Sequence, residues 1–60
     1  MTVYCLCLLG ANAAMGAVQR FSASTDEEAL SVARVVVKGR PQLAGFELWE
    51  GGRKVGAESL

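Results

Sequence analysis

The chain has 60 residues, its six basic and six acidic side chains balance, and 52% of its residues are hydrophobic. This length predicts one domain over residues 1–60, with a core too small for high stability without a partner. A balanced charge removes the attraction on which nucleic-acid and anionic-membrane binding usually depend, so neither partner is predicted. Because the chain has no histidine, the ordinary serine hydrolase triad is excluded, and a structural zinc site would be short of ligands.

The first predicted element is a strand from Thr2 to Leu9. It is apolar at both parities, with Val3, Cys5, Cys7 and Leu9 on one side and Tyr4, Leu6 and Leu8 on the other. Such a strand is typical of the centre of a sheet that is covered on both sides. The apolar run has no charged leader and is interrupted at Gly10, so we predict a cytoplasmic protein rather than a secretory signal or a membrane span.

The second strand is predicted at the edge of the sheet. Gly10 to Ala14 contains residues that tolerate positive φ and predicts a hairpin loop, after which Met15 to Ala23 runs back as a strand. Phe21 is its expected core residue. The alternation of apolar and polar residues is weak here, which indicates an edge strand with one irregularity.

The stretch from Thr25 to Lys38 predicts an amphipathic helix. Thr25 and Glu28 have the spacing of a capping box, in which each side chain accepts a hydrogen bond from the other residue's amide. Three acids in the first turn suit the positive end of the helix dipole. The predicted apolar face consists of Ala29, Leu30, Val32, Ala33, Val36 and Val37. A left-handed Gly39 is expected to end the helix.

A second hairpin is predicted near the end of the chain. Phe46 to Glu50 and Arg53 to Val55 are strand-like segments on either side of Gly51 and Gly52, which supply the positive φ values of a tight turn. The implied cross-strand pairs are Glu50 with Arg53, Trp49 with Lys54 and Leu48 with Val55. Residues 56–60 either extend the last strand or fray.

These elements predict an α+β domain of ββαββ order. The third strand is expected beside the first because a strand that leaves through a helix usually returns parallel. The strand order is then 2-1-3-4, in a four-stranded antiparallel-type sheet with the helix on one face. The other face is left for oligomerisation, and we assign Trp49, Tyr4, Leu6 and Leu8 to it. The predicted partner is a second copy, in a homodimer or a higher even oligomer.

Cys5 and Cys7 are the residues on which an alternative function would depend. We interpret them as small core residues, because the nearest cation in sequence is Arg20 and nothing beside them lowers a thiol pKa. The alternative is a thiol-dependent redox or metal-handling protein that uses this pair. The carboxylates are explained by the helix start and the turn, so we predict no catalytic residue, no cofactor, no metal ligand and no enzyme activity.

Several short motifs follow one another along the chain. They are Phe21-Ser22-Ala23, Asp26-Glu27-Glu28-Ala29-Leu30, Gly39, Phe46-Glu47-Leu48-Trp49-Glu50-Gly51 and Arg53-Lys54-Val55. In this order they resemble the sequences of short bacterial proteins of unassigned activity, which have an N-terminal hairpin, one helix and a C-terminal Glu-Leu-Trp-x-Gly hairpin. The first loop departs from the set, which tends to be charged there. We therefore predict a small homo-oligomeric structural or interaction module, and leave open a further protein partner.

Overall fold

The computed structural model describes residues 1–10 and 15–59 and, within them, four strands and one helix. The elements are β1 (Thr2–Leu9), β2 (Met15–Ala23), α1 (Asp26–Lys38), β3 (Gly45–Glu50) and β4 (Arg53–Ser59). The strands form one antiparallel sheet in the order β2-β1-β3-β4, so the predicted ββαββ fold and strand order are confirmed. Most of the predicted first loop, residues 11–14, lies outside the described residues.

Helix α1 begins where its cap predicts. The Thr25 hydroxyl accepts a hydrogen bond from the Glu28 amide at 3.1 Å. The Glu28 carboxylate accepts from the amide of Ser24 at 3.0 Å, one residue earlier than the capping box requires. The expected left-handed Gly39 is wrong, because its φ is −80°. A tight turn ends the helix instead, with the Arg40 amide donating to the Val37 carbonyl at 3.0 Å.

The core lies between α1 and one face of the sheet. The helix buries Ala29, Ala33 and Val37. The exposed residues include Glu27, Ser31, Arg34, Val35 and Lys38. The buried sheet residues are Tyr4, Leu6, Leu8, Ala23, Phe46 and Leu48, none more than 2% exposed. Two alanines in the contact line let the helix approach the sheet closely. Among the described residues, no helix is long and apolar enough to cross a membrane.

The β3–β4 hairpin follows the predicted pairing for its first two pairs. Trp49 pairs with Lys54, but Leu48 pairs with Gly56 rather than with Val55, because a bulge shifts the register. A Cβ on Gly56 would lie 3.0 Å from Leu30 of the helix, so a residue without a side chain suits the position opposite Leu48. Beyond the bulge, β4 continues through residue 59, and the tail therefore extends the strand.

Candidate functional site: the open face of the sheet

The sheet face turned away from α1, here called the open face, is not covered by a helix among the described residues. Strand pairing assigns to it Val18, Arg20 and Ser22 of β2, Val3, Cys5, Cys7 and Leu9 of β1, Glu47 and Trp49 of β3, and Lys54 and Ala57 of β4. Val3 is 57% exposed and Val18 is 51% exposed, whereas Cys5 and Cys7 are half-buried. Most of this surface is apolar, with charges mainly towards the two edges.

Trp49 lies on the face away from α1, where the sequence analysis placed it, but the residues of β1 assigned to that face are wrong. Trp49 pairs with Cys5 and lies on the open face. Tyr4, Leu6 and Leu8 instead lie beneath α1, at 2%, 0% and 0% exposure, so they are not available to a partner. The larger side chains of β1 occupy the covered face, where burial removes more apolar area from water than it would for valine and cysteine.

The hydroxyl of Tyr4 gives a second reason why this side of β1 lies beneath α1. Its ring is buried and lies 5.9 Å from the ring of Phe21, but its hydroxyl needs a polar partner. The hydroxyl donates to Asp26 Oδ1 at 2.7 Å, at the first turn of α1. Only the helix side of the sheet offers this carboxylate. No local pattern in the sequence could have shown the contact, since the two residues are 22 positions apart.

Trp49 is held in one orientation on the open face. Its Nε1 donates to Glu47 Oε1 at 3.2 Å, and the Lys54 ammonium lies 5.9 Å from the centre of the indole ring. Lys54 also lies 3.5 Å from the Glu47 carboxylate. These three side chains therefore restrain one another. An aromatic residue ordered before binding loses little conformational entropy when a partner covers it.

The two cysteines lie at the centre of the open face, not in the core as expected. Burial raises the pKa of the Cys7 thiol, and the Glu47 carboxylate opposite it raises that pKa further. The Cys7 thiol therefore remains protonated at neutral pH and is a poor nucleophile for thiol exchange. Within the described part of one chain, no three histidine, cysteine or acidic side chains are placed to hold a metal ion.

A charged cluster joins the start of α1 to the β3–β4 turn. The Arg53 guanidinium donates to both oxygens of Asp26, at 3.1 and 3.0 Å, and also to Glu50. The hydrogen bonds from Arg53 and Tyr4 lower the pKa of the Asp26 carboxyl, and the same contact raises the pKa of Tyr4. Because Asp26 is used by two internal partners, we assign the cluster a structural role.

A cleft of about 280 Å³ lies between α1 and β3, on the helix side of the sheet. Phe46 and Val37 contribute apolar lining, and its charged groups include Arg34 and Glu58. These two are 2.7 Å apart and neutralise each other. Small-molecule sites usually have volumes of about 300 Å³ or more, so this cleft is slightly too small. The open face is therefore the better candidate.

Comparison of the chain with protein-family models, with curated proteins and with solved structures gives no match.

Proposed function

We propose that the protein is a small homo-oligomeric interaction module that assembles through the open face of its sheet. The observation that carries the proposal is the contrast across β1, whose helix side is buried while its other apolar side is uncovered. Contiguous apolar surface with an ordered aromatic residue is characteristic of protein interfaces. Trp49, held by Glu47 and Lys54, is the expected anchor of the contact.

The area of the open face suits a small interface. The face is formed by four strands of six to nine residues. With strands about 4.8 Å apart and a rise of about 3.3 Å per residue, it offers roughly 500 Å² per copy, so stacking two copies would cover about 1,000 Å² in total. This value lies at the lower limit of about 1,000 Å² that is expected of a specific interface.

A second copy also fits the charge and chemistry of this face. The chain has no net charge, so two copies approach without overall repulsion. Arg20 lies on the edge strand β2 and Lys54 on the edge strand β4, while the Glu47 carboxylate of the central strand β3 lies 3.5 Å from Lys54. The apolar residues of β1 therefore have charged groups on both sides. Two such sheets packed about 10 Å apart form a β-sandwich with both helices outside.

We place this assembly in the cytoplasm, where free thiols stay reduced. Cys5 and Cys7 are free cysteines, and both lie on the face that the second copy covers. The proposal gives the module a structural role and assigns it no catalytic residue.

Two exposed valines provide a matched test. Val18 lies on the open face, whereas Val35 is 72% exposed and belongs to α1, which covers the opposite face of the sheet. Val18→Lys and Val35→Lys each add one positive charge at an exposed position, so neither change removes a core contact. We expect sedimentation equilibrium to show dimers for the unmodified protein and for V35K at micromolar concentrations. V18K should dimerise at least about tenfold more weakly, because it brings a charge into the interface.

The single tryptophan gives an independent readout of the same association. Dilution below the dissociation constant should shift Trp49 emission to longer wavelength in the unmodified protein and in V35K, as water reaches the ring. A folded monomer for the unmodified protein over the whole concentration range would contradict the proposal. Equal dimerisation of V18K and V35K would show that the dimer uses another surface.

A further inference from the structure

The outer edge of β4 is open to pairing with another strand. β4 is the last strand in the order β2-β1-β3-β4, and among the described residues it pairs with β3 alone. Every second residue of such a strand turns its backbone amide and carbonyl away from the sheet, where they form a template for a further strand. Charged Arg53 and Lys54 protect the first half of this edge. The second half carries the small residues Gly56, Ala57 and Ser59, so a backbone can approach it closely.

The cleft beside α1 adjoins this second half of β4. Glu58 pairs with Phe46 on the helix side of the sheet, and both residues line the cleft. At Gly56 the helix closes on β4, because a Cβ there would lie 3.0 Å from Leu30, but at Glu58 a gap remains. Its volume of about 280 Å³ equals the share of about nine water molecules in the liquid, which is enough for one large apolar side chain. A strand added about 4.8 Å beyond β4 points alternate side chains to this side.

The charges around the cleft favour an acidic ligand. Arg34 and Glu58 are 2.7 Å apart and neutralise each other, whereas Lys38 is exposed and forms no ion pair within residues 1–10 and 15–59. Alternate residues of an extended peptide share one side and lie about 6.6 Å apart. An acidic residue two positions from an apolar residue in the cleft therefore lies on the helix side, near Lys38. A free anion is disfavoured here, because this is the negative end of the helix dipole.

We propose that the edge of β4 and the adjoining cleft bind an extended peptide of a partner protein, which adds to the sheet as a fifth strand. The peptide has a large apolar residue, whose side chain enters the cleft, and an acidic residue two positions away, whose carboxylate pairs with Lys38. Backbone hydrogen bonds to β4 supply affinity, and the two side chains select the sequence. All the groups that recognise the peptide belong to one chain, so the site does not depend on the proposed homodimer.

A synthetic peptide tests the strand addition. The probe is acetyl-Thr-Thr-Phe-Thr-Glu-Thr-amide, titrated into ¹⁵N-labelled protein and followed by the amide signals. We expect saturable shifts in the second half of β4 and the last turn of α1, with a dissociation constant of about 1 mM or below. Replacing the phenylalanine by alanine should weaken binding at least about fivefold, because the cleft loses its occupant. N-methylation of two consecutive central residues should do the same, since one of the two faces β4 in either register.

Two exposed cations provide matched variants for the charge contact. Lys38 lines the cleft, whereas Arg20 lies on β2 at the other edge of the sheet. Lys38→Glu should weaken binding at least about threefold, and Arg20→Glu should leave it unchanged, although both alter the net charge equally. A peptide with lysine in place of its glutamate should bind K38E more tightly than the original peptide does. This exchange separates a lost charge contact from a folding defect, which circular dichroism also checks.

Three results would overturn the inference. The first is no saturable shift in β4. The second is equal binding of the N-methylated peptide, which would mean that the cleft takes a side chain without strand pairing. The third is that sodium hexanoate gives the same shifts with the same affinity, which would identify a site for small carboxylates. The V18K variant should bind the peptide as the unmodified protein does, so failure of the dimer and failure of the peptide site are measured separately.

Discussion

The two faces of β1 have similar sequences and very different surroundings. On the helix side, Tyr4, Leu6 and Leu8 are at most 2% exposed and form part of one continuous core with α1 and β3. On the open face, Val3 is mostly exposed and Cys5 and Cys7 are half-buried. The covered face stabilises a single chain, whereas the open face can contribute apolar burial only when something else covers it. Folding of one chain uses one side of this strand, and the proposed association would use the other.

The largest expected effect separates these two sides directly. Leu6→Ala should reduce the free energy of unfolding by about 2–5 kcal/mol, because it leaves a cavity beneath the helix. Val3→Ala should change it by less than about 0.5 kcal/mol in the monomer, because that side chain is largely exposed. Urea titrations followed by circular dichroism, at protein concentrations below and above the dimer midpoint, measure both.

The two losses in stability should depend differently on protein concentration. If the open face is an interface, V3A should become more destabilising once the protein is dimeric, while the effect of L6A should already be large in the monomer. Equal losses from V3A and L6A in the monomer would contradict the assignment of the two faces.

The helix that covers one face depends on its first turn. Thr25→Ala should lower stability by about 1 kcal/mol, because the Glu28 amide loses its acceptor. Glu27→Gln, at an exposed position in the same turn, should cost only a few tenths of a kcal/mol. Thermal or urea unfolding of the two variants measures the difference. Equal losses would show that the Thr25 cap is not what holds the start of α1.

A smaller effect, visible mainly in acid, concerns the contact between α1 and the hairpin. Hydrogen bonds from Arg53 and Tyr4 lower the pKa of the Asp26 carboxyl in the folded state. The ionised carboxylate therefore contributes fully to stability above the ordinary aspartate pKa of about 3.9. That contribution is lost as the pH falls through the lowered value. Asp26→Asn should therefore be less stable than the unmodified protein at pH 7, and the two should converge at the acid end.

Urea midpoints measured from pH 7 down to pH 2.5 check this prediction, with E27Q as a control that leaves the Asp26 contacts intact. A constant difference between D26N and the unmodified protein across the whole range would show that the carboxylate charge is not responsible.

Local features of the sequence determined much of this fold. The start of α1 follows from a threonine hydroxyl and an amide three residues away, and its apolar side follows from helical periodicity. The last hairpin follows from Gly51 and Gly52, but only Gly51, at φ 59°, has the positive φ that was expected of both. The strand order followed from the usual connection through a helix. The open face was also expected, because one helix covers one side of a four-stranded sheet, and Trp49 was assigned to it correctly.

Contacts between distant residues determine which side of β1 is covered. Alternate residues point to opposite faces of a strand, and β1 is apolar at both parities, so no local pattern distinguishes them. The choice depends on packing bulk beneath α1 and on a hydrogen bond from Tyr4 to Asp26, 22 residues away. The bulge at Val55 places Gly56 opposite Leu48, where a Cβ would lie 3.0 Å from Leu30 of the helix. Sequence patterning determined the local elements, and contacts between distant residues determined which surface remained open.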